Sequence, residues 1–135
     1  MKSFKLGPLQ KMWVESLKAH PDRQTTDILG EGHPRDYKAC CLGELHLCYH
    51  RMKHKKYPFN AFGSLTDRDH IGMLYTSHAK YGLRDEKGGL RKPYTIDGSS
   101  VPFFSLASMN DNGVSWPDIA KYIESNAENV FVHSV

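Results

Sequence analysis

Cysteine is scarce: three residues in 135, two of them adjacent at Cys40 and Cys41. An odd number with a vicinal pair is no disulfide framework, so reduced thiols in a cytoplasm are expected. No run approaches the roughly 20 apolar residues of a membrane span. At the start, Gln10, Lys11 and Glu15 interrupt the apolar residues, so no signal peptide is expected and no membrane partner. Charge of one sign is also lacking. A net +3 permits an acidic partner without demanding one. No CxxC, HExxH, GxSxG, kinase signature, glycine-rich phosphate loop or dinucleotide fingerprint occurs. There is no internal repeat and no low-complexity tract. These absences leave one globular domain over residues 1–135, large enough to bury a core without staples.

Hydrophobic spacing predicts the elements. Leu9, Met12, Trp13 and Leu17 recur at helical intervals between Pro8 and Pro21. Thr25–Leu29 suggests a short strand, followed by a glycine-rich loop around Pro34. From Ala39 to about His54, the residues Cys41, Leu42, Leu45, Cys48, Tyr49 and Met52 form one apolar stripe. Glu44, His46, His50, Arg51, Lys53 and His54 fall off it. Thr66 is expected to cap a third helix, with Asp67 and Asp69 in its first turn and Ile71, Leu74, Tyr75 and His78 inward, ending at Gly82. A hairpin is expected at Tyr94–Ile96 and Val101–Phe103 with its turn at Asp97-Gly98. Leu106–Met109 reads as a helical turn. The last helix is capped by Ser115, with Pro117 and Asp118 in its first turn and Trp116, Ile119, Ala120 and Ile123 inward. Asn129–Val132 suggests an edge strand. The fold class is therefore α+β, a compact domain with about four helices and a small antiparallel sheet.

The stretch CCLGELHLCYHRMKHKK holds every cysteine and three of the eight histidines, and ends in a basic run. His46 and His50 lie one helical turn apart, a spacing that can chelate zinc if a cysteine or carboxylate completes the tetrahedron. No cofactor is otherwise expected. Arg51, Lys53, Lys55 and Lys56, with His50 and His54, can meet phosphates or carboxylates. Tyr57 and Phe59 follow as stacking groups for a single strand, and Lys92 is a further candidate cation. Cys40, at a helix start, is a candidate thiolate with His33, His46 or His70 as base and Asp36 to orient it. The pair Asp67 and Asp69 points in two directions on a helix and suits capping better than catalysis. No catalytic residue is assigned.

Two motifs carry a resemblance. CCLG at Cys40–Gly43, preceded by Asp36-Tyr37, and LASMNDNGVSWPDIAKYIESN at Leu106–Asn126 resemble a group of small phage- and prophage-encoded proteins. That group has an N-terminal helix with a tryptophan, a CCLG helix start, a YGLRD-like segment (here Tyr81–Asp85) and a closing L-N-D-x-G turn before an IAxxIE helix. This chain departs from it by placing Lys38-Ala39 between the tyrosine and CCLG. The resemblance implies a small soluble protein made in an infected bacterial cell, and carries no activity. Both motifs are expected to determine the fold. Asn110 and Asp111 would bond nearby backbone amides in a turn, and Gly113 would supply a positive φ. Trp116 would pack inward, Gly43 would allow a close approach, and Cys40 and Cys41 would open a core helix. The leading functional expectation is an accessory protein that binds and modulates a host protein. The alternatives are a nucleic-acid-binding module using the basic helix face, and a small metal- or thiol-dependent enzyme.

Overall fold

The computed structural model describes residues 4–68, 70–96 and 101–135. Helix α1 (Pro8–Ala19) begins with proline, whose missing N–H is no loss in a first turn. The buried Gln10 side chain ties down that end: Oε1 accepts from Gly7 N–H at 2.9 Å, and Nε2 donates to the His133 carbonyl at 2.9 Å. The Val135 main-chain oxygen accepts from Leu9 and Gln10 N–H, so distant chain satisfies donors that a helix start leaves free. Strands β1 (Gly30–His33) and β2 (Asp36–Ala39) form an antiparallel hairpin. Helix α2 (Cys41–Met52) follows at once. After a long irregular segment come strands β3 (Gly89–Tyr94) and β4 (Phe103–Ser105), a second antiparallel pair. Helices α3 (Leu106–Asp111), α4 (Trp116–Ser125) and α5 (Ala127–Val130) complete the fold. The class is α+β, with five α-helices and two two-stranded sheets among the described residues.

Helix α1 packs on both α2 and α4, and the core closes around Trp13, Trp116, Tyr81 and Phe131. Trp13 Nε1 donates to the Cys41 carbonyl at 2.8 Å, which sets α1 against the start of α2. Burial on α2 is continuous from Cys41 to Cys48, wider than the single stripe expected. Glu44 is wholly buried because partners come from elsewhere in the chain. Tyr37 OH donates to Oε1 at 2.5 Å and Ser16 Oγ to Oε2 at 2.7 Å.

Three expected elements differ. The strand at Thr25–Leu29 is irregular chain; the pairing residues are the next ones along, where a glycine-rich loop was expected. Gly32 sits at φ +119°, and neighbouring chain at 63–65 bonds to β1, so tertiary pairing rather than alternation makes this strand. The third helix is absent from the described residues of 66–78, where only a 3-10 turn follows at Ala79–Tyr81. Arg68 is left-handed at φ +49°, and the buried Asp67 carboxylate collects the N–H and hydroxyl groups of Thr76 and Ser77 at 2.8–3.0 Å. Those bonds organise a loop in place of a helix. Asp69 lies outside the described residues, as does the expected turn at Asp97-Gly98. The second hairpin itself pairs Tyr94 with Phe103, and its first strand starts at Gly89. At the C-terminal end, α5 replaces the expected edge strand, and Phe131 bridges to Leu83.

Candidate interaction surface

The CCLG start and the LNDxG-like turn meet in space. Cys40 caps α2, its Sγ accepting from Gly43 N–H at 3.4 Å. Gly43 faces the Leu29 backbone so closely that a Cβ there would lie 1.8 Å from the Leu29 oxygen. Asn110 is wholly buried and reaches across the fold. Its Oδ1 accepts from Cys41 N–H at 3.0 Å, from Trp116 Nε1 at 3.1 Å and from Gln24 Nε2 at 3.2 Å. Its Nδ2 donates to the Thr25 carbonyl at 2.7 Å. The expected local turn bonds are therefore long-range ones. Asp111 likewise accepts from the distant Asp27 N–H at 2.9 Å. Gly113 holds φ +88° in open space.

Burial governs the chemistry of the cysteines. All three are free and buried. Loss of hydration pushes the Cys40 thiol up to about 11 and Cys48 up to about 12, and holds Cys41 well above its ordinary value. For Cys40, that outweighs the backbone amides at the helix start, so the thiol is held protonated. His33 and His70 are exposed, and Cys40 has neither as a hydrogen-bond partner.

His46 is also enclosed. Its Nε2 lies 3.0 Å from the Thr66 carbonyl, which can only accept, so Nε2 carries the hydrogen. Nδ1 then accepts from Tyr81 OH at 2.6 Å. Both nitrogens are committed, and a metal on Nδ1 would have to displace Tyr81. His50 stacks edge-on against His46 at 4.8 Å, half-buried, with Nδ1 unpartnered. Among the described residues no three His, Cys, Asp or Glu side chains come together as a metal-holding group.

Burial, then the charge on His50, lowers the His46 pKa to about 4, with Asp67 opposing and Lys80 reinforcing. An unfolded histidine takes up its proton near 6.5, so below that pH the unfolded state binds more protons than the folded one. The stability His46 contributes is complete above about pH 6.5 and declines as pH falls towards 4. At about 1.4 kcal/mol per pH unit, the expected loss is roughly 3 kcal/mol. Urea unfolding at pH 7 and pH 4.5 measures most of it. His46→Gln keeps one donor and one acceptor, and is expected to flatten the dependence; an unchanged slope would refute the assignment.

The basic run forms the surface. Helix α2 ends in a Schellman motif: Lys55 N–H bonds the His50 carbonyl at 2.8 Å and His54 N–H bonds the Arg51 carbonyl at 3.3 Å. His54 occupies the left-handed position at φ +54°, where glycine is usual and another residue costs about 1–2 kcal/mol. Arg51, Lys53, His54, Lys55 and Lys56 are all exposed. Sequence spacing gives no sign of Lys80, which arrives from the distant 3-10 turn. Its Nζ lies 4.8 Å from the Tyr49 ring centre, and Lys55 Nζ lies 5.4 Å from the same ring. Tyr49, expected in the core stripe, is a half-buried platform between two cations. Among the described residues, the ion pairs within 4.0 Å are those of Lys18 with Glu15 and Glu124. Arg51, Lys53, Lys55, Lys56 and Lys80 have no such partner among those residues.

Tyr57 and Phe59, the expected stacking groups, are each partly covered. Tyr57 OH accepts from Arg51 Nε at 3.0 Å, and Phe59 packs towards Tyr37 with ring centres 6.4 Å apart; both are half-buried. Lys92 lies apart, in β3, where its backbone bonds both ends of the Asn129 amide. There it borders a cavity of about 340 Å³ beside the Tyr94–Tyr122 stack. No helix of the described residues is long and apolar enough to cross a membrane. Comparison with protein-family models, curated proteins and solved structures gives no match to this chain.

Proposed function

We propose that this is a phage-type accessory protein that binds a host protein and modulates it, with the basic end of α2 as its contact surface. The observation that supports this reading is the exposed cluster of Arg51, Lys53, Lys55, Lys56 and Lys80 without carboxylate partners among the described residues. Cations at a helix C-terminus offset its dipole, which accounts for Arg51 and Lys53. It does not account for Lys55, Lys56 and Lys80, which lie beyond the helix and repel one another. An acidic surface on a partner relieves that repulsion and steers association. The resemblance to phage-encoded proteins supports a partner in the host, and three buried free thiols suit a reducing cytoplasm.

A nucleic acid is the second reading, since phosphates would satisfy the same cations. The half-burial of Tyr57 and Phe59 weighs against it, because a single-strand platform needs exposed rings. Pull-down of the tagged protein from host lysate, with and without nuclease, separates the two. A stoichiometric host protein retained after nuclease is expected. Lys53→Glu with Lys55→Glu is expected to weaken its binding about tenfold or more at low salt. Unchanged affinity would remove the basic face from the account. Retention lost with nuclease, and affinity falling steeply with salt, would transfer the face to nucleic acid.

A further inference from the structure

The basic face has a centre that the end of α2 alone does not supply. Tyr81 is wholly buried, its ring centre 5.2 Å from that of Tyr49 and its hydroxyl bonded to His46. The 3-10 turn Ala79–Tyr81 stops at Gly82, left-handed at φ +81°. Lys80 therefore leaves the backbone beside a fixed point. From the other side, the turn that closes α2 fixes the Lys55 backbone through its 2.8 Å bond to the His50 carbonyl. The two exposed side chains meet at one ring, with Nζ of Lys80 4.8 Å and Nζ of Lys55 5.4 Å from the Tyr49 centre. Among the described residues, Lys53 and Lys56 rest on no ring.

Both charges reach His50, the next residue along. Burial lowers its pKa, and Lys55 and Lys80 add to the effect, with Asp67 opposing. The Asp67 carboxylate is committed elsewhere, to the N–H and hydroxyl groups of Thr76 and Ser77. Among the described residues neither lysine has a carboxylate within 4.0 Å. Two like charges are thus held about one ring without a counter-ion from those residues.

We propose that Lys55 and Lys80, gathered at the Tyr49 ring, form an anion site that takes the carboxylates of an acidic segment on the partner protein. This rests on the reading that the basic face contacts a protein, and it names where that contact is centred and what it takes. Charge complementarity argues for the occupant, since carboxylates relieve the repulsion between the two ammonium groups. Contact with the ring also leaves each lysine fewer arrangements than a free one has, so less freedom is lost on docking. A single-stranded nucleic acid fits less well. The Tyr49 ring is half-buried and already touches Tyr81, His50 and two cations, which leaves little of it for a base to stack on.

The test titrates the full chain at low salt with a fluorescein-labelled ten-residue oligoglutamate, and in a second arm with a labelled oligothymidylate of the same length. Lys80→Gln is expected to weaken peptide binding about fivefold with an unchanged melting temperature, as this side chain is exposed. Sulfate, compared with chloride at equal ionic strength, is expected to raise the pH at which His50 takes up its proton in an NMR titration, because an anion there favours the imidazolium. Peptide bound equally by Lys80→Gln and the parent, but lost with Lys53→Glu and Lys55→Glu together, would overturn this site and leave the basic-face reading intact. Peptide binding that none of these changes alters would overturn both. Tighter binding of the oligothymidylate than of the peptide would assign the site to nucleic acid and overturn the proposal. A His50 titration that sulfate does not move, or no binding of either probe, would overturn it as well.

Discussion

Asn110→Ala is expected to cost about 4 kcal/mol, a large part of the stability of a domain this size. One amide serves four partners from three parts of the chain: Cys41 N–H, Trp116 Nε1, Gln24 Nε2 and the Thr25 carbonyl. Alanine satisfies none of them. Cys41 and Trp116 are wholly buried, so water cannot replace the lost acceptor. Each stranded buried group costs about 1–3 kcal/mol, and the vacated volume adds to it. The measurement is urea unfolding, with a lower midpoint at an unchanged slope. Trp116 fluorescence would report the same site locally. A loss below about 1 kcal/mol would mean that Asn110 is not the joint between α2, α4 and the segment before β1.

Gly43→Ala is expected to destabilise by about 3 kcal/mol or more, although alanine is the better helix former by about 1 kcal/mol. Two effects oppose, and their sizes decide. The new Cβ would stand 1.8 Å from the Leu29 oxygen and 2.7 Å from the Leu29 carbonyl carbon. Both are backbone atoms, so no side chain can swing aside. Either α2 or the Leu29 segment must move by more than an ångström. That movement threatens the Cys40 N–H bond to the Leu29 carbonyl, now 3.0 Å. It also disturbs Leu65, whose methyl group is 3.2 Å from the same Cβ position. Thermal unfolding of the variant checks this; a melting temperature equal to or above the parent's would show that the contact relaxes freely.

Helices with a clean apolar face were readable in one dimension. The spacing of Leu9, Trp13 and Leu17, and the Ser115 cap before Trp116, Ile119 and Ile123, match α1 and α4. Capping and periodicity are local, and here tertiary contacts agree with them. Residues 66–78 carry the same kind of pattern, and yet the described residues among them form no helix. The deciding bonds to Asp67 come from Thr76 and Ser77, and no helical register lets one carboxylate collect all four.

The same limit applies to the surface. Arg51, Lys53, Lys55 and Lys56 were visible as a cluster because they are neighbours in sequence. Lys80 was not, because only folding brings the 3-10 turn at Ala79–Tyr81 to the Tyr49 ring. His46 shares its spacing with His50, but Tyr81 and Thr66 close around one and leave the other half-exposed. The sequence by itself determined the α+β class, the starts of α1, α2 and α4 and the basic run, since each follows from patterns among near neighbours. Which polar groups are buried and satisfied, and which side chains are left facing solvent, was decided by tertiary structure, because their partners lie tens of residues away.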